Sequence, residues 1–578
     1  MFKGQPKGLY ALALANTGER FGYYTMLAVF ALFLRENFGL AAGTAGAIYS
    51  TFLGLVYFMP LVGGIMADKF GFGKMVTIGI SIMFAGYLLL SFPLGGDTVA
   101  MIAMMAALLF ISLGTGLFKG NLQVMVGDLY NDPKYADKRD SGFSLFYMAI
   151  NVGSLFAPTT AVGIKAWAQN SLGYSSNDAY HFAFAVACVA LILSIAIYYA
   201  FRFTFRHVEG GKKKGESAIV EDNLTPAETK SRIVALCLVF AVVIFFWMAF
   251  HQNGLTLTYF ADEFTATSAA GFQSLFFNVW NLVLVIIAVY ATFSIFQSES
   301  AKGKLLSGLV ASASLIYLVY ESMNVSDATS IEVSAPIFQQ FNPFYVVALT
   351  PFSMAIFGTL AKKGKEPSAP RKIAYGMLVA AIGFAVMAFA SNGLNTPNDQ
   401  IKSITVEKAE TIAVGIYNAQ DDAMVAKFMK AKEDYENKVT DENKEIFAQV
   451  YNATTASLEA GTYAPNTVVS QLGIETKPVK RISPYWLIFT YLILTFAELL
   501  LSPMGISFVS KVAPPKYKGL MMGGWFVATA IGNLLVAVGG FLWAGLPLWS
   551  VWAVFITLCL LSALFMFVMM KRLENATK

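Results

Sequence analysis

Residues 233–261 read IVALCLVFAVVIFFWMAFHQNGLTLTYFA, and no charged residue interrupts them. A helix needs about 20 largely apolar residues to cross a hydrocarbon core about 30 Å thick, so this run is long enough for one span. Applied outward, the same reading finds fourteen candidate spans: 12–34, 45–67, 75–94, 99–121, 143–166, 181–202, 233–261, 272–296, 304–321, 336–361, 372–391, 484–509, 519–543 and 547–570. No long apolar–polar alternation competes with them, and helices satisfy every backbone group within the segment, as lipid demands. Of the 578 residues, 56% are hydrophobic and 13% charged, with 49 Phe and 24 Met. A soluble domain carries roughly 25% charged residues. The composition excludes a soluble enzyme, a nucleic-acid binder and a disordered scaffold, and predicts an all-α polytopic membrane protein.

Lys and Arg set the expected orientation, because they favour cytoplasmic loops. Lys3 and Lys7 precede the first span, and alternate loops carry Lys69 and Lys74, then Lys134, Lys138 and Arg139, then the group from Arg202 to Arg232. The pattern continues through Lys302 and Lys304, Lys362 to Lys372, Lys511 to Lys518, and Lys571 with Arg572. Both termini are therefore expected in the cytoplasm. The first run lacks a small-residue cleavage pattern and should remain as a helix. Span positions and polar stretches divide the chain into 1–202 with six spans, a polar linker (203–231), 232–271 with one span, 272–322 with a pair of spans, 323–391, a polar non-cytoplasmic insert (392–482) and 483–578 with the tail. The middle of that insert, 421–451, combines helical apolar spacing with many charges and reads as a solvated cap or a recruiting domain. Cys188, Cys237 and Cys559 lie inside apolar runs, so neither a disulfide framework, a metal site nor a cofactor is expected.

A charge at mid-bilayer costs at least about 2.5–3.5 kcal/mol and needs a partner or a wet cavity. Five groups meet that condition: Glu19, Arg20, Lys119, His251 and Glu498. In ANTGERFGYYTM (15–26), Asn16, Glu19, Arg20, Tyr23 and Tyr24 recur at helical spacing and share one face. The bland alternative is an ion pair that only locks helices. Lys119, near the end of its run, has the option of reaching back to the surface; His251 has that of a hydrogen-bonded core histidine. Glu498, in LTFAELLLSPMG, has no opposite charge on its own helix, which favours a functional role. Asn151 and Asn342, the latter beside the helix-loosening Pro343, and Trp247 and Trp525 are polar or amphipathic companions, each also explicable as interhelical glue or an interface anchor.

These residues resemble the proton-dependent oligopeptide transporters of the major facilitator superfamily. The first run carries the ERFxYY core of that family's ExxERFxYY motif as Glu19, Arg20, Phe21, Tyr23 and Tyr24. GGIMADKFGFGK (63–74) is similar to the superfamily's loop signature through Gly64, Asp68, Lys69 and Gly71, and FYMAINVGSLFAP (146–158) to the family's long fifth-helix signature. FWMAFHQNG, QFNPF and AELLLSPMGISFVSKVAP follow in family order. The resemblance implies two six-helix bundles that open alternately, with an extra transmembrane hairpin. It implies Arg20 and Lys119 for a peptide carboxylate, and Glu498, Asn151 and Asn342 for its amino end. Tyr23, Tyr24, Tyr57, Trp247 and Trp525 would line side-chain pockets. Di- and tripeptides, protons and the lipid bilayer are the expected partners, with a bacterial inner membrane as the location.

Four departures stand out: Asn16 replaces the first acid of ExxER, His251 replaces the seventh-helix acid, Leu27 replaces a basic residue, and the hairpin follows the seventh span instead of the sixth. Glu19 and His251 are read as the proton-responsive pair, with Glu498 coupled to the peptide amine. A neutral imidazole can accept a hydrogen bond from Lys119, whereas a protonated one repels it. A carrier of nitrate or another anion is the first alternative, opposed by the fixed carboxylate of Glu498. An intramembrane hydrolase on a Ser–His pair, or a membrane scaffold, is the remote one, since no serine motif partners His251.

Overall fold

Helices begin where the sequence supplies caps. Asp97 accepts from Ala100 N at 2.8 Å to start α4 (Thr98–Asp128), and Thr225 with Glu228 forms a capping box for α7 (Pro226–Phe250), whose Pro226 occupies the first turn. The protein, seen in a computed structural model, is described over residues 4–210, 224–407, 448, 452 and 477–576. The cap-like stretch 421–451 lies outside the described residues apart from Ala448, and so does the middle of the linker, 211–223.

The first bundle contains α1 (Lys7–Phe38), α2 (Ala42–Phe70), α3 (Phe72–Leu90), α4, α5 (Arg139–Leu172) and α6 (Asp178–Ala200). The second contains α7 with α8 (Thr256–Phe264), α11 (Phe341–Lys362), α12 (Ala369–Ala390), α13 (Tyr485–Val512), α14 (Lys518–Leu534) with α15 (Ala537–Gly545), and α16 (Leu548–Val568), followed by a short α17 (Met570–Asn575). Among the described residues, thirteen helical stretches are long and apolar enough to cross a membrane by length and composition. The 32-residue α1, read from the sequence as the first span, falls outside that set because Asn16, Thr17, Glu19 and Arg20 dilute its apolar character.

The hairpin α9 (Val279–Gln297) and α10 (Ala301–Asn324) lies outside the second bundle. Its α9 packs on α11 through Tyr290 Oη, which donates to Val347 O at 3.2 Å, and through Phe293 on Phe352. Leu305, Leu309 and Ile316 of α10 stay exposed, as suits a lipid-facing helix. A two-residue ladder, β1 (Ser268–Ala269) with β2 (Ile331–Glu332), ties the hairpin's ends together.

Three runs read as continuous spans are broken. The run 233–261 becomes α7, a 3-10 turn over His251–Gly254, and α8. The run 519–543 becomes α14 and α15, interrupted at Leu535 and Val536. The hairpin's first helix starts at Val279 after a 3-10 segment, not at 272. Apolar length alone cannot reveal such breaks, because their freed backbone groups are satisfied by residues distant in sequence.

Named contacts between the bundles concentrate in the half away from the termini. Gln339 Nε2 donates to Ala28 O at 3.0 Å, and Thr159 Oγ1 to Gln340 Oε1 at 2.8 Å. Arg35 of α1 pairs with Glu263 of α8 at 2.5 Å, and Trp543 Nε1 donates to the same carboxylate at 3.0 Å. The roots of the polar insert grip this corner. Gln400 Nε2 donates to Glu263 O and Lys480 O, both at 2.8 Å, and Arg481 Nη1 donates to Asp262 O and Thr265 O, also at 2.8 Å. Between α2 and α15, a Cβ added to Gly540 would meet Ala42 O at 2.6 Å and Gly46 Cα at 3.2 Å. Only small residues allow this approach. Gly540→Leu should therefore hold this face apart while leaving each bundle folded. Spin labels in loops 39–41 and 265–271 should report a longer distance than in the wild type, with an unchanged thermal midpoint.

Candidate functional site

The first helix supplies the densest polar group. Glu19 and Arg20 are nearly fully buried, and their side chains meet in a bidentate pair, Nε to Oε2 and Nη2 to Oε1, each at 2.5 Å. Neighbours in sequence diverge by about 100° around a helix, so the long arginine side chain must turn back towards the carboxylate. Its guanidinium carbon also stands 4.5 Å from the Tyr23 ring centroid. Both donor edges used by the pair are thus spent on Glu19.

Lys119 is not a surface lysine reaching back to its helix end. The helix continues to Asp128, more than two turns beyond it, and its Nζ stands 4.3 Å from the Tyr57 ring centroid on α2. It makes no ion pair among the described residues, although it lies within electrostatic reach of Arg20 and Glu19. The ring of Tyr57 is 5.9 Å from His251, which stacks on Trp247 at 5.1 Å with 22° between planes. Lys119, Tyr57, His251 and Trp247 therefore form a continuous line from the first bundle into the second.

On the second bundle, Asn342 Nδ2 donates to Glu498 Oε2 at 2.8 Å and to Thr495 Oγ1 at 3.1 Å. The other carboxylate oxygen, Oε1, takes no hydrogen bond among the described residues. Pro343 does not loosen a helix interior: it falls in the first turn of α11, where a missing N–H is harmless. Tyr24 lies within electrostatic reach of Arg20, Glu19 and Glu498, and Tyr57 of Arg20, Tyr24 and Glu498. Both phenols thus lie within electrostatic reach of charges from the two bundles.

Asn151 donates to its own helix, Nδ2 to Tyr147 O at 2.9 Å, and is nearly buried. Trp525 is 3% exposed, and its six-membered ring fills the space a side chain on Gly505 of α13 would need. Leu27, at the position read as a missing base, is buried in the α1 core. His181 belongs elsewhere: it lies buried in the first turn of α6, and its Nδ1 meets Leu90 O at 2.6 Å.

Four residues of this region escaped the reading of the sequence. Tyr147 lies within reach of Glu498, Tyr24 and Tyr57; its place in the fifth-helix motif was a usable signal. Gln252 bridges both helix breaks, with Nε2 donating to Met248 O and Val536 O at 3.1 Å. Glu263 sat at the edge of an apolar run, with no sign that it would meet Arg35. Asn533, a lone amide in TAIGNLL, is completely buried against His251. Its spacing of eight from Trp525 places both on one helical face, which was the only signal available.

Comparison with known proteins places this geometry. A family model described as PTR2, the POT family, matches residues 73–225, 310–472 and 453–540. The peptide transporter YePEPT of Yersinia enterocolitica is 26% identical, with 100% of this chain and 97% of that protein covered. A di-/tripeptide transporter of Lactococcus lactis is 25% identical over 93% of this chain and 89% of its own length. A crystal structure of a POT family transporter in complex with 5-aminolevulinic acid superposes with a TM-score of 0.65 at 18% identity, covering 100% of this chain and 98% of that one. The fold is that of these transporters, and with the family model matched over most of its length the chain belongs to the POT family.

Proposed function

We propose that this chain is a proton-coupled symporter that carries di- and tripeptides across a bacterial inner membrane by alternating access, with both termini in the cytoplasm. The observation that carries the reading is that Tyr24 and Tyr57 lie within electrostatic reach of both Arg20 and Glu498, with Lys119 over the Tyr57 ring: cations from one bundle and an acid from the other. A zwitterionic peptide has the complementary pattern, an anionic and a cationic end joined by a neutral backbone. Its ends would join the two bundles, and a ligand that binds one conformation better shifts the balance between them. Relatives named for di- and tripeptides, and the alternation of Lys and Arg, support the substrate and the orientation.

The pairing suggests how a proton enters the cycle. While Glu19 is ionised it occupies Arg20, so a peptide carboxylate finds mainly Lys119. Protonating Glu19 releases the guanidinium for the substrate. Protonating His251 places a second positive charge beside Lys119 and drives the ammonium away from the bundle boundary. Both events strengthen the cationic pole on the side from which the proton arrives. Glu498, steadied by Asn342, offers Oε1 to the peptide amine.

The defining experiment is dipeptide uptake into reconstituted liposomes, which should be concentrative only with an inward proton gradient. His251→Gln should abolish that accumulation while leaving exchange of peptide for peptide. Glu498→Gln should weaken dipeptide binding about ten- to a hundredfold, the worth of a charged hydrogen bond, and leave an N-acetylated dipeptide unaffected. Glu19→Gln leaves Arg20 buried without its counter-ion and should cost about 3–5 kcal/mol of stability, seen as a lowered thermal midpoint that Glu19→Asp partly restores.

A further inference from the structure

The interior face of α14 carries Trp525, Thr529 and Asn533 at four-residue intervals, at 3%, 2% and 0% exposure, while Leu520 and Ile531 on its other side are 66% and 40% exposed. On either side of Asn533 the helix is fixed. A Cβ on Gly532 would meet Trp247 Cβ at 2.9 Å, and Leu534 packs against Gly54 of α2, one turn from Tyr57. Asn533 is thereby aimed between α7 and α2, towards the line formed by Tyr57 and His251.

Its amide is unspent. Neither Nδ2 nor Oδ1 of Asn533 has a protein hydrogen-bond partner among the described residues, and the same holds for His251 Nδ1, Trp247 Nε1 and Tyr23 Oη. Asn533 lies close enough to the imidazole to interact with it, while neither amide atom makes a hydrogen bond of full geometry among the described residues. Buried polar groups are almost always satisfied, and each exception calls for a physical reason. Packing does not supply one, since the nearby Gln252 completes its bonds to both helix breaks.

We infer that Asn533, with His251 and Trp247 beside it, is a substrate-binding wall that reads the peptide bond itself. A carboxamide presents one donor edge and one acceptor edge, and a secondary amide presents the complementary pair. Nδ2 would donate to the substrate carbonyl and Oδ1 would accept from its N–H, with Trp247 Nε1 a second donor for the carbonyl. The position agrees: Tyr57 lies within reach of both Arg20 and Glu498, and its ring adjoins His251. Tyr57 thus links this wall to the groups that would hold a dipeptide's two ends, between which its amide lies. Termini alone do not distinguish a dipeptide from any other zwitterion of the same length; a buried carboxamide does, because it is left unpaired when the amide is missing.

This inference rests on the peptide reading above, and the test separates the two. Glycylglycine and 5-aminolevulinic acid share both termini and the ketone or amide carbonyl, and differ by N–H against CH2. Binding of each to the purified wild type should favour glycylglycine by about tenfold, the effect of one hydrogen bond whose partner would otherwise be buried unpaired. Asn533→Leu should reduce that ratio to near one, chiefly by weakening glycylglycine. Asn533→Ala gives the same ratio test should leucine prevent folding. Equal weakening of both ligands, an unchanged ratio, or a wild type that does not discriminate would each overturn the assignment. A wild type that binds neither ligand would overturn the peptide reading, and the assignment with it.

Discussion

A guanidinium held within the membrane has to be neutralised close by, and the pairing of Arg20 with Glu19 meets that need on a single helix. The Coulomb attraction between unit charges grows several-fold as the surroundings become less polar, and desolvation of an unpaired ion costs more than any single contact returns. The bidentate pair makes α1 tolerable as a span, despite a polarity that sets it apart from the other thirteen. Among the described residues, Lys119 and Glu498 have no opposite charge paired with them, and each is held by a weaker neighbour, the face of Tyr57 or the amide of Asn342. Those two unmatched charges, contributed by different bundles, give the site its polarity.

A second constraint is that irregular backbone at membrane depth must find partners. Helices α7 and α14 break beside one another, as do the interrupted helices that line sites in other transporters. Gln252 donates into both breaks, and Asn253 O accepts from Tyr491 Oη at 2.8 Å and from Thr258 Oγ1 at 3.1 Å. The interruption turns the chain so that His251 faces Tyr57 and Glu263 reaches Arg35. One local irregularity therefore serves both the centre of the molecule and the closure of the face opposite the termini. The insert's roots, through Gln400 and Arg481, fasten onto that same corner.

Much of this was legible along the chain. The all-helical membrane character and the approximate positions of the spans follow from apolar length, because lipid permits so few alternatives; the grouping of those spans into two bundles with an extra hairpin came from the resemblance. Glu19, Arg20, Lys119, His251 and Glu498 stood out because charge in an apolar run is expensive. The break in the seventh span had a signal, the Asn253-Gly254 turn dipeptide, but the apolar run around it outweighed that signal; the break at Leu535 and Val536 had none, because both residues are apolar. Glu263 and Arg35 were hidden for another reason: each lies near a span end, where a charge has a cheap solvent-exposed explanation.

By itself the sequence determined that the chain spans a membrane as helices, how often it does so, and which ionisable side chains it brings into the apolar region. Those properties depend on composition over about 20 residues, a scale at which neighbours in the chain are neighbours in space. The tertiary structure alone decided that Arg20 is occupied while Lys119 is not, that Tyr57 adjoins His251, and that Asn533 is buried with its amide unspent. Such facts depend on helices hundreds of residues apart meeting at side-chain distance, where an ångström separates a made hydrogen bond from an unsatisfied one.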